Sequence, residues 1–429
     1  MNRVTEKYDS YLNEKYYRVE HESGMEIYII PKDFAASYGM LTVKYGSADN
    51  SFKCADGTER NFPEGIAHYL EHKMFDNADG TDTFEKFAEY GAYCNAYTSY
   101  DRTAYLFSAT ESHNECLVEL LRFVFSPYFT AETVEKERSI IEEEIKMGDD
   151  SPARQRFYLM AGLMYGHDHP VTADIAGTEE SILRITHNDL LECYNAFYVP
   201  ENMILTLSGV FDPEKVLEIC DGCIPQRPAS PQKKRIGGKD LFGKRAKGIM
   251  QVSKPQFSIG FKDNAEHLRG TELMRRSICV NMVTDILFGE SSAFYGELLN
   301  TGLADQTDVF FECAGGIAFA YLQGASNDPE KVYALVVDTV KKLKENGISQ
   351  EEFLRARKGM ISDLVGAFNS TEEICELFAD CAICGCGISE YSDMLRGILP
   401  CELEKAAISL FDENNAVMAV VEDKKQEEI

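Results

Sequence analysis

Residues 224–248, IPQRPASPQKKRIGGKDLFGKRAKG, carry Pro, Gly and basic residues without apolar periodicity, and they cut the chain nearly in half. Such a stretch offers no face to a core and reads as an interdomain linker. The full 429 residues also exceed what one core of ordinary size accommodates. The expected organisation is a domain at 1–223, the linker at 224–248 and a second domain at 249–429.

Both halves mix period-two apolar runs with longer amphipathic stretches, which predicts an α+β fold: two similar domains, each a mostly antiparallel sheet packed with helices. In the first half, strands are expected at 25–30, 38–46 and 203–209. A hairpin is expected from 92–99 and 103–109 around Tyr100-Asp101-Arg102. Helices are expected near 63–75, 112–126, 131–148, 152–165 and 178–196. The second half repeats the outline, with a strand at 256–261, a helix at 270–288, a hairpin from VFFECA and IAFAYLQG, and helices near 329–345 and 350–366. TAETVEKERSII, from Thr130, echoes SQEEFLRARKGM, from Ser349. Each opens on a hydroxyl residue suited to an N-cap and followed by early acids, as in a duplication.

The first helix contains His68-Tyr69-Leu70-Glu71-His72. Residues four apart share a helix face, so both imidazoles can reach one cation. Glu71 can lean over the same site, beside a metal-bound water. Pro63 near the first turn and Glu64 at the positive end of the dipole favour a helix start here.

A catalytic zinc takes a third protein ligand and keeps one position for water. In VEKERSIIEEEIKMG, Val134, Glu137, Ile141 and Glu144 fall on one stripe, so two carboxylates share a face with aliphatic side chains. An acid there is costly unless paired or metal-bound. Glu144 is the candidate third ligand, Glu137 a carboxylate that supports the site, and Glu135, Glu142 and Glu143 are expected in solvent. Two imidazoles and a carboxylate suit zinc.

Charge narrows the partners. With 43 Lys plus Arg against 71 Asp plus Glu, the net charge of −28 repels phosphate, which argues against nucleic acid and anionic membrane. No apolar run approaches the ~20 residues of a membrane span, and the N-terminal residues lack a signal-peptide pattern. Thirteen cysteines, an odd number without framework spacing, read as reduced thiols in the cytoplasm. Cys381, Cys384 and Cys386 (CAICGC) and the pair Cys220 and Cys223 lie in apolar contexts without matching histidines, and are expected as buried or idle thiols. His167 and His169, in MYGHDHP, are expected to pack in a loop rather than ligate, with a substrate-side role as the open alternative.

These motifs resemble the inverted zinc-motif peptidases of the pitrilysin and insulinase family, M16. The likeness runs through Tyr45-Gly46-Ser47, the pentad, GAYCNAYT from Gly91, and ERSIIEEE from Glu137 to Glu144. It continues through His169-Pro170, Gly177-Thr178 and FYVPENM from Phe197. The resemblance implies a zinc endopeptidase in which His68, His72 and Glu144 are ligands, Glu71 is the general base and Glu137 a supporting acid. Asn95, after the zinc helix, would contact substrate or orient the site. It also implies peptide lying along a sheet edge inside a closed chamber, and a homodimer or a heterodimer with a homologous chain.

The second half departs from that pattern. RRSICVNMVTDILFG has no histidine, and the echo of Glu137 is Ala356. Where the family carries an Arg and a Tyr that bind the substrate carbonyl, this chain aligns Leu299 and Asp305. Tyr295, Tyr321 and a partner chain are the open alternatives. A catalytically silent assembly or binding subunit is the rival reading.

Overall fold

The computed structural model describes residues 3–54, 57–227, 231–233, 241–265, 267–314 and 316–423. The chain forms two compact units. One comprises 1–145, 174–234 and 364–392, the other 146–173, 235–363 and 393–429. A cut at the expected linker alone does not separate them, because segments 146–173 and 364–392 are traded between the sequence halves.

The strands of the first unit are, in chain order, β1 (Arg3–Asp9), β2 (Glu14–Glu20), β3 (Glu26–Pro31), β4 (Ser37–Val43), β5 (Ser51–Lys53), β6 (Glu59–Asn61), β7 (Tyr93–Thr98), β8 (Thr103–Ala109), β9 (Met203–Gly209) and β10 (Gln232–Lys233). Seven make one sheet in the order β1-β2-β3-β9-β4-β8-β7, and β10-β5-β6 make a small second one. Only β3 and β9 run parallel within the large sheet. In β4 and β9 every residue is buried, because helices cover both faces. On one face lie α1 (Ile66–Lys73), α2 (Thr83–Glu89) and α3 (His113–Phe125), whose Ile66, Leu70, Phe87 and Leu120 join the core. On the other, helix Thr371–Ile383 packs Cys375 and Ala379 against Tyr38, Met40, Ala104 and Leu106. Strand β7 ends the order and pairs only with β8 among the described residues, leaving one backbone edge open.

The second unit has β11 (Arg245–Ile249), β12 (Gln256–Lys262), β13 (Thr307–Glu312), β14 (Phe319–Ala325) and β15 (Ala416–Glu422), in the order β11-β15-β12-β14-β13. Helix Pro152–Tyr165 belongs to this unit, where Arg156 reaches Gln256 at 2.7 Å and Gln323 at 2.8 Å.

Most expected elements form with ends shifted by a residue or two. The helix expected near 178–196 is instead two helices, Glu179–Leu183 and His187–Phe197. Thr178 and Thr186 each cap a separate start through capping boxes with Ser181 and Asp189. Strand 232–233 lies within the expected linker and strand 245–249 starts in it, while 228–230 and 234–240 lie outside the described residues. The echoed helices do start alike. The Thr133 amide donates to Thr130 Oγ1 at 3.1 Å, and the Glu352 amide to Ser349 Oγ at 3.2 Å.

Candidate metal centre

Helix α1 begins at Gly65, whose φ of +87° is left-handed; a Cβ there would lie 2.4 Å from the Ala176 carbonyl oxygen. Glycine alone meets both conditions. Two buried side chains then dock α1 on α4 (Ala131–Asp149): the Tyr69 hydroxyl donates to the Val134 carbonyl, and Lys73 Nζ donates to the Thr133 carbonyl at 3.2 Å. Lys73 is fully buried and also paired with Asp76. On α4, Val134, Ile141 and Ile145 enter the core, while Glu137 and Glu144 are half-buried beside them and face the histidines. Glu135 and Glu143 are exposed as expected, whereas Glu142 is half-buried.

Glu144 sits between the two imidazoles. Its Oε1 is 3.5 Å from His68 Nε2 and its Oε2 is 3.4 Å from His72 Nε2. The ligating atoms of His68, His72 and Glu144 all lie within 4.8 Å of one another. Among the described residues no other group of His, Cys, Asp and Glu is so arranged. These separations exceed the ~2.7–2.9 Å of a strong charge-assisted hydrogen bond. Each, one from either carboxylate oxygen, is close to the ~3.3–3.6 Å between neighbouring donors around a cation about 2.0–2.2 Å from each, the bond lengths of zinc to His and carboxylate. The donor set fits that ion.

Glu137 acts on the far side of His72, with its Oε1 2.9 Å from Nδ1. In that contact His72 Nδ1–H donates to the carboxylate, which leaves Nε2 as the ligating atom. Burial alone would lower the His72 pKa, but hydrogen bonds to Glu137 and Glu144 outweigh it and push it up to about 10. Hydrogen bonding to His72 lowers Glu137, and hydrogen bonding to His68 and then His72 holds Glu144 well below the usual carboxylate range. A pocket that binds a proton this firmly has a field that favours any cation.

Glu71 is buried on α1, and its Oε2 accepts a hydrogen bond from Thr98 Oγ1 at 2.6 Å. Sequence reasoning missed Thr98, although it closes the NAYT run. Alternation along β7 was the available signal, since Cys94, Ala96 and Thr98 share the face toward α1. Asn95 lies on the opposite, exposed face, where its amide donates to the Tyr93 hydroxyl at 2.8 Å and its Oδ1 accepts from the Ala96 amide. The structure does not bring it to the His68–His72–Glu144 cluster.

Residues 38–173 match the profile of insulinase, peptidase family M16, and 184–360 match the M16 inactive domain. An uncharacterized zinc protease of Bacillus subtilis, YmfH, is 39% identical over 86% of this chain and 87% of its own. The chain belongs to peptidase family M16. Another B. subtilis zinc protease, YmxG, is 25% identical over 73% of this chain and 78% of its own. The crystal structure of an M16-like peptidase from Alicyclobacillus acidocaldarius superposes with a TM-score of 0.89 at 29% identity, covering 99% of each chain. Pitrilysin, at 15% identity and with 46% of its own chain covered, shares the fold with a TM-score of 0.77.

The remaining candidates fall in both units, with Leu299, Asp305, Tyr295, Tyr321 and His169 in the second and the candidate cysteines in the first. Leu299 is 60% exposed, and Asp305 is held by Lys254 Nζ at 2.8 Å. Tyr321 is buried against Phe310, and Tyr295 is half-buried. His169 accepts from the Val171 amide at 3.2 Å and packs on Tyr165, as expected of a loop histidine. Cys220, Cys381 and Cys386 are buried and Cys223 and Cys384 half-buried; among the described residues none belongs to a metal-type cluster.

Proposed function

We propose that this M16 chain is a zinc-dependent endopeptidase that hydrolyses peptides or unfolded segments. The observation that carries the proposal is one carboxylate, Glu144, with Oε1 3.5 Å from His68 Nε2 and Oε2 3.4 Å from His72 Nε2, and Glu71 on the same short helix as the histidines. Zinc held by His68, His72 and Glu144 would supply a Lewis acid to polarise the scissile carbonyl and acidify the attacking water. Glu71 takes the proton of that water and hands it to the leaving amine. Glu137, bonded to His72 Nδ1, would hold Nε2 of that ring toward the ion. Peptide adds to the open edge of β7 as a further strand, so backbone hydrogen bonds carry affinity and sequence selectivity is loose. Asn95, exposed on that strand, is then available to the substrate.

The proposed compartment is the cytoplasm, supported by the odd number of cysteines. Among the described residues no helix is long and apolar enough to cross a membrane. A second reading, an assembly or binding subunit that works with a homologous partner or a second copy, is favoured by Leu299 and Asp305, neither of which can donate to a carbonyl.

Glu71→Gln separates chemistry from metal binding. Zinc should remain at one ion per chain while turnover of a quenched-fluorescent peptide library falls about 10²–10⁴-fold. Near-normal turnover would remove Glu71 as the base. Stoichiometric zinc without hydrolysis by the native chain, alone or with a homologous partner, would favour the second reading.

A further inference from the structure

Thr98 is the last residue of β7 and faces Thr103, the first of β8, across the strand ladder. The Ser99 amide donates to the Arg102 carbonyl at 2.8 Å, so the adjacent Thr98–Thr103 pair is a non-hydrogen-bonded one whose side chains lie close together. The Thr98 hydroxyl donates to Glu71 Oε2 at 2.6 Å, within the ~2.5–2.7 Å of a charge-assisted bond between a hydroxyl and a carboxylate. Thr103 Oγ1 lies 3.4 Å away and spends its own proton on the Tyr45 carbonyl at 2.9 Å. Both Thr103 and Tyr45 are fully buried. Among the described residues, Oε2 is the one side-chain oxygen of Glu71 that takes a hydrogen bond, which leaves Oε1 for water.

We propose that Thr98 is the positioning residue for the general base of the M16 reaction, fixing the Glu71 carboxylate and tying its placement to the strand to which substrate adds. This rests on the peptidase reading given above. Three physical facts carry it. A β-branched side chain has a restricted χ1, so the hydroxyl is held rather than free to wander. Valine would suit a strand position equally well, so strand formation does not account for the hydroxyl. And a hydroxyl can serve both states of a base. It donates to Oε2 of the carboxylate, and once Oε1 carries the proton taken from water it still donates to Oε2, now the carbonyl oxygen of the acid. Glu71 therefore stays in place while the proton is in transit. Because Thr98 ends β7, a peptide strand added along that edge bears on the residue that aims the base.

The test uses the full chain loaded with zinc and three variants. Thr98→Val keeps the shape and deletes the donor, Thr98→Ser restores it, and Thr98→Ala replaces the valine variant should that one not fold. With a quenched-fluorescent peptide library as probe, Thr98→Val should lose about 10–100-fold in kcat with KM within about threefold. Thr98→Ser should recover to within about threefold of the native chain, and zinc content should stay at one per chain in all. A merely structural threonine would show no split between kcat and KM and no rescue by serine. Crystal structures of the native chain and Thr98→Val supply a readout independent of activity. The Glu71 carboxylate should hold one rotamer against Oγ1 in the first and turn away in the second. Unchanged kcat in Thr98→Val, or an unmoved Glu71, overturns the proposal. A native chain that cleaves no peptide overturns the peptidase reading, and the two crystal structures still decide the role of Thr98.

Discussion

Replacing Glu137 by Gln should weaken zinc binding although Glu137 touches no metal. The variant keeps the size of the side chain and can still accept from His72 Nδ1, but it removes the charge 2.9 Å behind the ring. Crossing the imidazole and one metal–nitrogen bond puts that charge roughly 7 Å from a cation at the site. At an effective dielectric constant near 20 the lost attraction is about 332/(20 × 7), or roughly 2.4 kcal/mol. The pair is mostly buried, with side chains 23% and 16% exposed, so solvent screening trims this only in part. Changes to groups that orient a ligand cost about 10–100-fold in metal affinity, or about 1.4–2.7 kcal/mol, which brackets the same figure. The assay is competition with a chromogenic zinc chelator at pH 7.5 and fixed ionic strength. Glu132→Gln, an exposed residue in the first turn of the same helix, serves as control for the change in net charge. Zinc affinity within twofold of native in Glu137→Gln, or an equal loss in Glu132→Gln, would refute the reasoning.

Zinc loading should also release protons. The metal-free His72 pKa is raised from its ordinary value to about 10, so the ring is protonated at pH 7 and must become neutral to ligate. About one proton per zinc is expected from this residue at pH 7, falling as pH rises through 10; calorimetry in buffers of different ionisation enthalpy measures it, and no release at pH 7 contradicts the shift. Gly65→Ala should destabilise the first unit by about 2–4 kcal/mol, combining a left-handed φ with a clash against Ala176. Urea unfolding checks this, and a change under 0.5 kcal/mol would be inconsistent. Arg102→Ala should cost about 1–3 kcal/mol, because Arg102 bridges Asp101 in the β7–β8 turn and Asp380 on helix Thr371–Ile383 and its loss leaves the half-buried Asp101 without its charged partner. Asp101→Asn combined with Arg102→Ala should recover part of that loss.

The site was legible because helical spacing is rigid. Placing His68 and His72 four apart leaves little freedom, and the stripe Val134, Glu137, Ile141, Glu144 put both acids on one flank of the core. Register between the two helices was not legible, since it is set by Tyr69 reaching Val134 and Lys73 reaching Thr133, contacts 60 or more residues apart in sequence. Strands β4, β8 and β9 showed in their apolar runs. The hairpin of β1 and β2 did not, because its first strand is almost wholly exposed and charged. β15, AVMAVVE, is buried from Ala416 to Val421 and carries a signal as plain as that of β9, yet it is missing from the expected strands. The exchange of segments 146–173 and 364–392 has no local trace, since their helices look the same whichever sheet they cover. Thr98 was hidden by its motif: a threonine in a strand needs no explanation until its hydroxyl is seen against Glu71.

X-ray absorption at the zinc edge on the reconstituted chain bears most directly on the claim that His68, His72 and Glu144 share one ion. One zinc per chain is expected, with two imidazole nitrogens at about 2.0–2.1 Å and carboxylate or water oxygen at about 2.0–2.2 Å, and with the carboxylate contribution lost in Glu144→Ala. A sulfur shell, a third imidazole, or a spectrum unchanged by Glu144→Ala would contradict it.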